Sequence, residues 1–426
     1  MDSSHLGSRL PHLLLPLVQL LALTLPPFRY RAQIFVPVIL ALAWATYTNI
    51  FTHKSETVLL LVSQWPTFLS TVEKLLFSQP ERDYWPLDGS CVDAASLPFG
   101  LAKLRWAAAL FINPRGIGWN YQVKGIPQVA APQGKFQFLS SQSLHYMKCY
   151  VVTDLVHVYL TKHYYTDGVD MASLTVRANT WSRSFANTLM AGSKVYFPLQ
   201  LLYTFGSILF VLLSLSKPKD WPPIFGRIRD VTTVRYFWGS FWHQTMRKVG
   251  HYSDVECFNR TEDWLCRGNK LMFTSYSQAL TRLLGIPRGT QLSSYLQLYV
   301  SFAISGLFHA LMTFVMPASA QHSFYDRFML AFNFFILQAI GIHFEDIVIA
   351  IYKHVAKESS DVGSPKTRGT KASSVAGKTF VGYVWVVCWF WFSLGWGGDA
   401  YLKAGIGNVN DAPYPFVGFF LSYVGL

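Results

Sequence analysis

The chain has 426 residues, of which 51% are hydrophobic, 16% aromatic and only 14% charged, against roughly 25% charged in an average soluble protein. That deficit, with the apolar residues gathered into long runs, excludes a disordered chain, a disulfide-rich secreted module and an ordinary cytosolic enzyme, and leaves a multi-span membrane protein. The net charge of +13 is therefore read through its distribution among loops, and no nucleic-acid partner is expected from it.

In chain order, eight stretches are apolar enough to cross or enter a bilayer: Leu10 to Pro26, Ile34 to Phe51, Val58 to Phe77, Val195 to Leu215, Tyr295 to Met316, Phe328 to Ala350, Phe380 to Trp396 and Pro413 to Leu426. The first follows Arg9 but precedes no small-x-small cleavage site, so it is expected to be a retained anchor rather than a signal peptide. The third contains Pro66, Glu73 and Lys74, which predict a tilted, broken or interfacial segment. The last is short for a span. Two semi-apolar pieces, Leu101 to Phe111 and Tyr146 to Leu160, are expected to be re-entrant or interfacial.

The expected fold class is all-α: a polytopic membrane helix bundle of about eight spans, with re-entrant or interfacial helices enclosing an intramembrane reaction chamber. Residues 1–79 are expected to hold the N-terminal spans and 80–194 an interfacial region. Residues 195–426 are expected to form the core, with a basic motif loop over 217–291 and a flexible Ser/Gly/Lys-rich linker over 353–378.

Charge distribution orients the second half. Lys217 to Gln291 holds twelve Lys+Arg against six Asp+Glu, and Lys353 to Lys378 holds six against two. Two spans separate these segments, so both lie on one face, and the positive-inside bias makes that face cytosolic. Asn259 begins a glycosylation sequon that cytosolic placement would leave unused.

Within Tyr295 to Met316, Gln297, Ser301, Ser305 and His309 recur every four residues and form one polar stripe on a helix. A histidine at membrane depth is costly unless it faces a bundle interior or wet cavity. His309 is therefore a candidate general base, with a hydrogen bond to a neighbouring helix as the alternative. Ser305 is placed to orient the ring or contact an acceptor, and Gly306 is expected to leave room beside the ring.

The run Arg235 to Arg247 (RYFWGSFWHQTMR), read as a helix, pairs Trp238 with Trp242 and aligns Gly239, His243 and Arg247 on one stripe. Two readings stand. One is an amphipathic interfacial helix. The other sets His243 and Arg247 at the cytosolic mouth of a tunnel, with Trp242 against substrate and Arg235, Arg247 and Lys248 near a cofactor phosphate. Arg115, Gly116, Gly118 and Trp119 are expected to form a tight interfacial turn with Arg115 at lipid phosphate. Asn333 and Gln338 either line the cavity of His309 or bond between helices; Glu345 and Asp346 fall where solvation is easier. Trp385, Trp389, Trp391 and Trp396 read mainly as packing or belt residues. His243, His251, Cys257 and Cys266 have the residue types of a zinc site, but their spacing matches no familiar pattern, and no metal is expected.

The FWGSFWHQxxR run at Phe237 to Arg247, followed by SGLFH at Ser305 to His309 and preceded by RGIGW at Arg115 to Trp119, resembles the wax synthase-like branch of the membrane-bound O-acyltransferases. The resemblance covers roughly Asn113 to the C-terminus. It implies that His309 is the intramembrane catalytic histidine and that His243 occupies the position held by Asn or His across the superfamily. It further implies acyl-CoA, most simply acetyl-CoA, as co-substrate with no bound cofactor, a hydrophobic alcohol such as a terpenoid as acceptor, surrounding membrane lipid, and residence in the endoplasmic reticulum. A long-chain wax ester synthase is the enzymatic alternative; a multi-span transporter is the alternative from another class.

Overall fold

The computed structural model describes residues 7–88, 94–123, 125–127, 134–246, 274–287, 289–361, 370–412 and 414–423. Among them the regular structure is helical: α1 (Leu10–Thr24), α2 (Arg31–Thr48), α3 (Ser55–Val62), α4 (Trp65–Phe77), α5 (Pro80–Asp83), α6 (Leu101–Ile112), α7 (Lys135–Tyr164), α8 (Trp181–Leu212), α9 (Val234–Tyr236), α10 (Thr274–Leu283), α11 (Gln291–Phe314), α12 (Leu330–Asp361), α13 (Thr370–Lys403) and α14 (Phe416–Tyr423). The only β-type pairing among the described residues is an isolated bridge between Pro86 and Trp119. The all-helical expectation holds.

Five helices among the described residues are long and apolar enough to cross a membrane: α2, α8, α11, the run Tyr325–Val355 that includes α12 as far as Val355, and the part of α13 from Thr379 to Lys403. Not all eight predicted stretches become long helices. The third breaks at Ser63 and Gln64 into α3 and α4, with Pro66 in the first turn of α4, where its missing N–H costs nothing. The eighth yields only the eight-residue α14, and α1, at 15 residues, is short.

Glu73 and Lys74 are buried rather than interfacial. The Ser275 hydroxyl donates to Glu73 Oε1 at 2.6 Å and the Tyr276 hydroxyl to Leu69 O at 2.8 Å, so α10 covers them. Farther along, Glu81 on α5 takes both Arg31 of α2, at 2.5 and 2.9 Å, and Lys103 of α6, at 3.1 Å. This buried trio joins three N-terminal helices.

The largest departure lies between residues 135 and 212. The expected interfacial piece Tyr146 to Leu160 is the middle of the 30-residue α7, and the expected span start at Val195 lies inside the 32-residue α8. The two run antiparallel: Lys135 donates to Leu212 O at 3.0 Å, Tyr146 meets Phe205 with ring centroids 6.2 Å apart, and Tyr159 donates to Asn187 at 2.7 Å. Residue 194, the expected boundary, falls inside this hairpin. The expected linker over 353–378 also shortens, because α12 continues to Asp361 and α13 begins at Thr370.

Helices α11, α12 and α13 form an antiparallel trio. Gly306 permits α11 to approach α12: a Cβ there would meet Phe335 Cβ at 3.0 Å and Phe332 O at 3.2 Å. The room beside His309 expected from Gly306 is therefore filled by a neighbouring helix.

Candidate functional site

The aromatic motif is hung from α12 by its first residues. Thr233 caps α9 by accepting from Tyr236 N–H at 2.9 Å. Glu345 then accepts from the backbone N–H groups of Val234 and Arg235 at 2.8 and 3.0 Å, and from Trp385 Nε1 at 2.8 Å. The Arg235 guanidinium pairs with Asp346. Both carboxylates are buried, contrary to the expectation of easy solvation, and they satisfy donors that burial would otherwise leave unmet.

Beyond α9 the chain does not continue as an α-helix. Residues Phe237–Phe241 form a single π-helical turn, closed by Trp242 N–H to Phe237 O at 2.7 Å, and Trp242 is extended with ψ 144°. The predicted continuous amphipathic helix is corrected, and with it the helical register between Gly239 and His243; Arg247 lies outside the described residues. The turn is packed on every side by rings. Trp238 donates to Gln338 Oε1 at 3.2 Å, Phe237 lies 4.2 Å from Phe390, and Trp242 stacks on Phe237 at 5.5 Å. Single π turns inside helical segments are rare and concentrate at functional sites.

Arg115 does not meet lipid phosphate. It is buried and donates to the carbonyls of Pro222 and Pro223, at 3.0 and 2.7 Å, and to the Tyr203 hydroxyl at 2.5 Å. The RGIGW turn thus grips the chain that leads into the motif. Gly116, at φ 62°, has Tyr121 ring atoms 2.7 and 2.8 Å from where a Cβ would stand, so both the left-handed backbone and the contact require glycine.

His309 sits on α11, its ring 4.3 Å from Phe335 and 5.5 Å, edge to face, from Trp65. Its Nδ1 lies 2.7 Å from the Ser305 carbonyl. A carbonyl only accepts, so a neutral ring carries its hydrogen on Nδ1 and leaves the Nε2 lone pair available. His243 Nδ1 is 2.9 Å from the Thr245 hydroxyl. Burial first, then the His309 ring and Arg115, push His243 down to about 3, against a single backbone hydrogen bond that raises it. It is neutral at physiological pH.

Both histidines line one cavity of about 810 Å³, within the range of small-molecule sites. It is bounded by the α3/α4 break, α8, the motif segment, α11, α12, α13 and the chain after α13. Ser301, Ser305 and Trp242 share the wall. Gln297 instead donates to Ser293 at 3.0 Å. Asn333 and Arg235 are not among the lining residues, and Gln338 is spent on Trp238 and Trp389, both at 3.2 Å. Arg247, Lys248, His251, Cys257, Asn259 and Cys266 lie outside the described residues; among the described ones no group of His, Cys, Asp or Glu fits a metal ion. On one side the wall includes Leu60, Leu202 and Phe205, which are 62%, 65% and 51% exposed.

Among the lining residues that the sequence reading did not single out are Trp65, in the stretch expected to be tilted, broken or interfacial, Lys194, at the end of the region expected to be interfacial, and Asp411. The detectable signal was Lys194, a lone cation just before a long apolar run.

The description "Membrane bound O-acyl transferase family" matches residues 221–337, and "Aspirochlorine biosynthesis protein F C-terminal domain" matches 134–212. Aspirochlorine biosynthesis protein F of Aspergillus oryzae is 34% identical over 223 residues, spanning 50% of this chain and 87% of that protein. Acetyltransferase ple2 of Rhodocybe pseudopiperita is 28% identical over 329 residues, 76% of this chain and 73% of that protein. O-Mevalon transferase yanI of Aspergillus niger is 27% identical over 348 residues, 76% of this chain and 68% of that protein. No solved structure matches the chain.

Proposed function

The chain belongs to the membrane-bound O-acyltransferase family, and from that premise we propose that it transfers an acetyl group from acetyl-CoA to a hydroxyl on a hydrophobic secondary metabolite, with His309 as general base. Family membership makes it an O-acyltransferase and removes the transporter reading. The observation that carries the proposal is the bond from His309 Nδ1–H to Ser305 O, which leaves Nε2 as a lone-pair acceptor on a ring that lines the cavity.

In the proposed reaction the acceptor oxygen attacks the thioester carbon while Nε2 takes its proton. The C–S bond of the tetrahedral intermediate then breaks, and the proton passes from His309 to the departing thiolate of coenzyme A. No acyl-enzyme forms. With Thr245 donating to Nδ1, His243 carries its hydrogen on Nε2 and is the proposed donor to the oxyanion, supported by its neutral state. Ser305 and Trp242 are the proposed acceptor contacts. Arg247 and Lys248 are the proposed contacts for the phosphates of coenzyme A, while Arg235, already paired with Asp346, is the proposed anchor of the motif. We place the protein in the endoplasmic reticulum with the motif segment on the cytosolic side, in line with the basic excess of 217–291.

The acetyl donor is supported by the names of relatives such as acetyltransferase ple2 and acetyltransferase eriL. Membranes carrying the protein, incubated with labelled acetyl-CoA or palmitoyl-CoA and a fungal extract of alcohols, should yield labelled ester from acetyl-CoA. Ester from palmitoyl-CoA instead would make it a wax-type synthase. His309→Ala protein, present in membranes at the normal level, should make none; retained transfer overturns the assignment of the base.

A further inference from the structure

The chamber wall is mostly apolar; its polar residues are the two histidines with their neighbours, the serines of α11, Glu56, Ser63, Tyr146 and Tyr401, and one further cluster. There, Lys194 of α8 meets Asp411 at 2.6 Å, with side chains 4% and 20% exposed. The same Lys194 nitrogen donates to Val409 O, and Asn410 Oδ1 accepts from Ala412 N–H at 3.0 Å. The loop is thereby held at both ends. Lys194, Asn410 and Asp411 all line the cavity that His309 lines.

These bonds use one oxygen of Asp411 and the carbonyl side of the Asn410 amide. Among the described residues, the second Asp411 oxygen and the Asn410 amide nitrogen have no protein partner. One acceptor and one donor are left facing a mostly apolar wall. A lysine and a carboxylate of this burial stabilise a fold poorly, since their attraction barely offsets desolvation, and apolar side chains would seal the same gap at lower cost. The pair is also electrically balanced, so at this place a charged ligand group would stand uncompensated. What fits is an uncharged group that both donates and accepts.

We infer that Lys194, Asp411 and Asn410 form a second polar subsite of the chamber, which binds a hydroxyl or secondary amide carried by the acceptor away from the hydroxyl that reacts. The inference rests on the acyl-transfer reading and narrows it: the acceptor is a hydrophobic molecule polar at two separated points. Asp411 orients it by accepting the distal hydrogen, and Lys194 holds the carboxylate in place.

The test compares straight-chain α,ω-diols of increasing length with the matching mono-alcohols, using full-length protein in membranes and labelled acetyl-CoA. For one range of lengths the wild type should favour the diol about tenfold in kcat/KM, the size expected of one additional hydrogen bond to a charged acceptor. Asp411→Asn keeps an oxygen for Lys194 but turns the second oxygen into a donor, and should bring the ratio close to one. The double variant Lys194→Met with Asp411→Leu removes the pair without leaving an unpaired charge, and should do the same if Asp411→Asn fails to accumulate. A wild type with no diol preference at any length, or a variant that keeps the preference, overturns the subsite while the acyl-transfer reading stands. Absence of ester from every alcohol, the fungal extract included, fails the reading itself and the subsite with it.

Discussion

Glu345 receives the first two backbone N–H groups of the aromatic motif, Val234 at 2.8 Å and Arg235 at 3.0 Å. One carboxylate on α12 thus fixes where the motif begins. Glu345→Ala leaves both donors and the Trp385 indole unmet, at about 1–3 kcal/mol for each buried group. The variant should melt at lower temperature in mild detergent and lose ester formation, whereas Glu345→Gln, which retains one acceptor oxygen, should fall between. Wild-type melting of Glu345→Ala contradicts the role.

His243 provides a pH prediction. In the unfolded chain an imidazole takes its proton near 6.5, whereas folded His243 waits until about 3. Between those values the unfolded state binds more protons, so stability rises with pH across the window and is lost as pH falls through it. The wild type should therefore lose melting temperature more steeply below 6.5 than His243→Gln. Equal acid slopes count against a neutral, buried His243. For the same reason a rate profile between about pH 5 and about pH 9 should show no limb that disappears with His243→Gln.

Arg115 and Gly116 are expected to matter without touching substrate. Arg115→Lys cannot reach Pro222, Pro223 and Tyr203 together, since an ammonium lacks the planar fork. Gly116→Ala adds an overlap with the Tyr121 ring to a left-handed backbone that costs about 1–2 kcal/mol for other residues. Both should reduce the folded yield. The protein that does fold should keep the acceptor KM of the wild type; a raised KM with normal yield indicates substrate contact instead.

At Gly341 a Cβ would overlap the Trp389 indole. Gly341→Ala should force that ring away and break its bond to Gln338, destabilising the protein by about 1–3 kcal/mol through overpacking. Gln338→Leu should cost a similar amount by orphaning the Trp238 and Trp389 indoles. The two losses should be less than additive in thermal melts, because both sever the same contact. Full additivity would mean that Trp389 does not couple the sites.

The sequence exposed the parts of this design that follow from local pattern. The apolar runs located α2, α11, α12 and α13, and the four-residue recurrence of Ser301, Ser305 and His309 marked the wall of the chamber. Two kinds of feature escaped. Helix α7 mixes Lys148, Asp154 and His157 into its apolar positions, so no window of it reads as a span, and only its pairing with α8 makes sense of its length. The π turn at Phe237–Phe241 was invisible for a different reason. It depends on Glu345, Gln338 and Phe390, which lie far along the chain, so a strict 3.6-residue period carried through it put Gly239 and His243 on a helical stripe that the backbone does not keep.

Leu60, Leu202 and Phe205 belong to the chamber wall and are exposed as well. For the hydrophobic acceptor proposed above, a wall bordered by such residues would admit what is dissolved in acyl chains, and the relevant dose would be its mole fraction in lipid, not its molarity in buffer. Apparent affinity should fall as inert phospholipid is added at constant total acceptor, while the water-soluble thioester keeps an ordinary volume concentration. On the proposed reaction, kinetics would be two-dimensional for the acceptor and three-dimensional for the thioester.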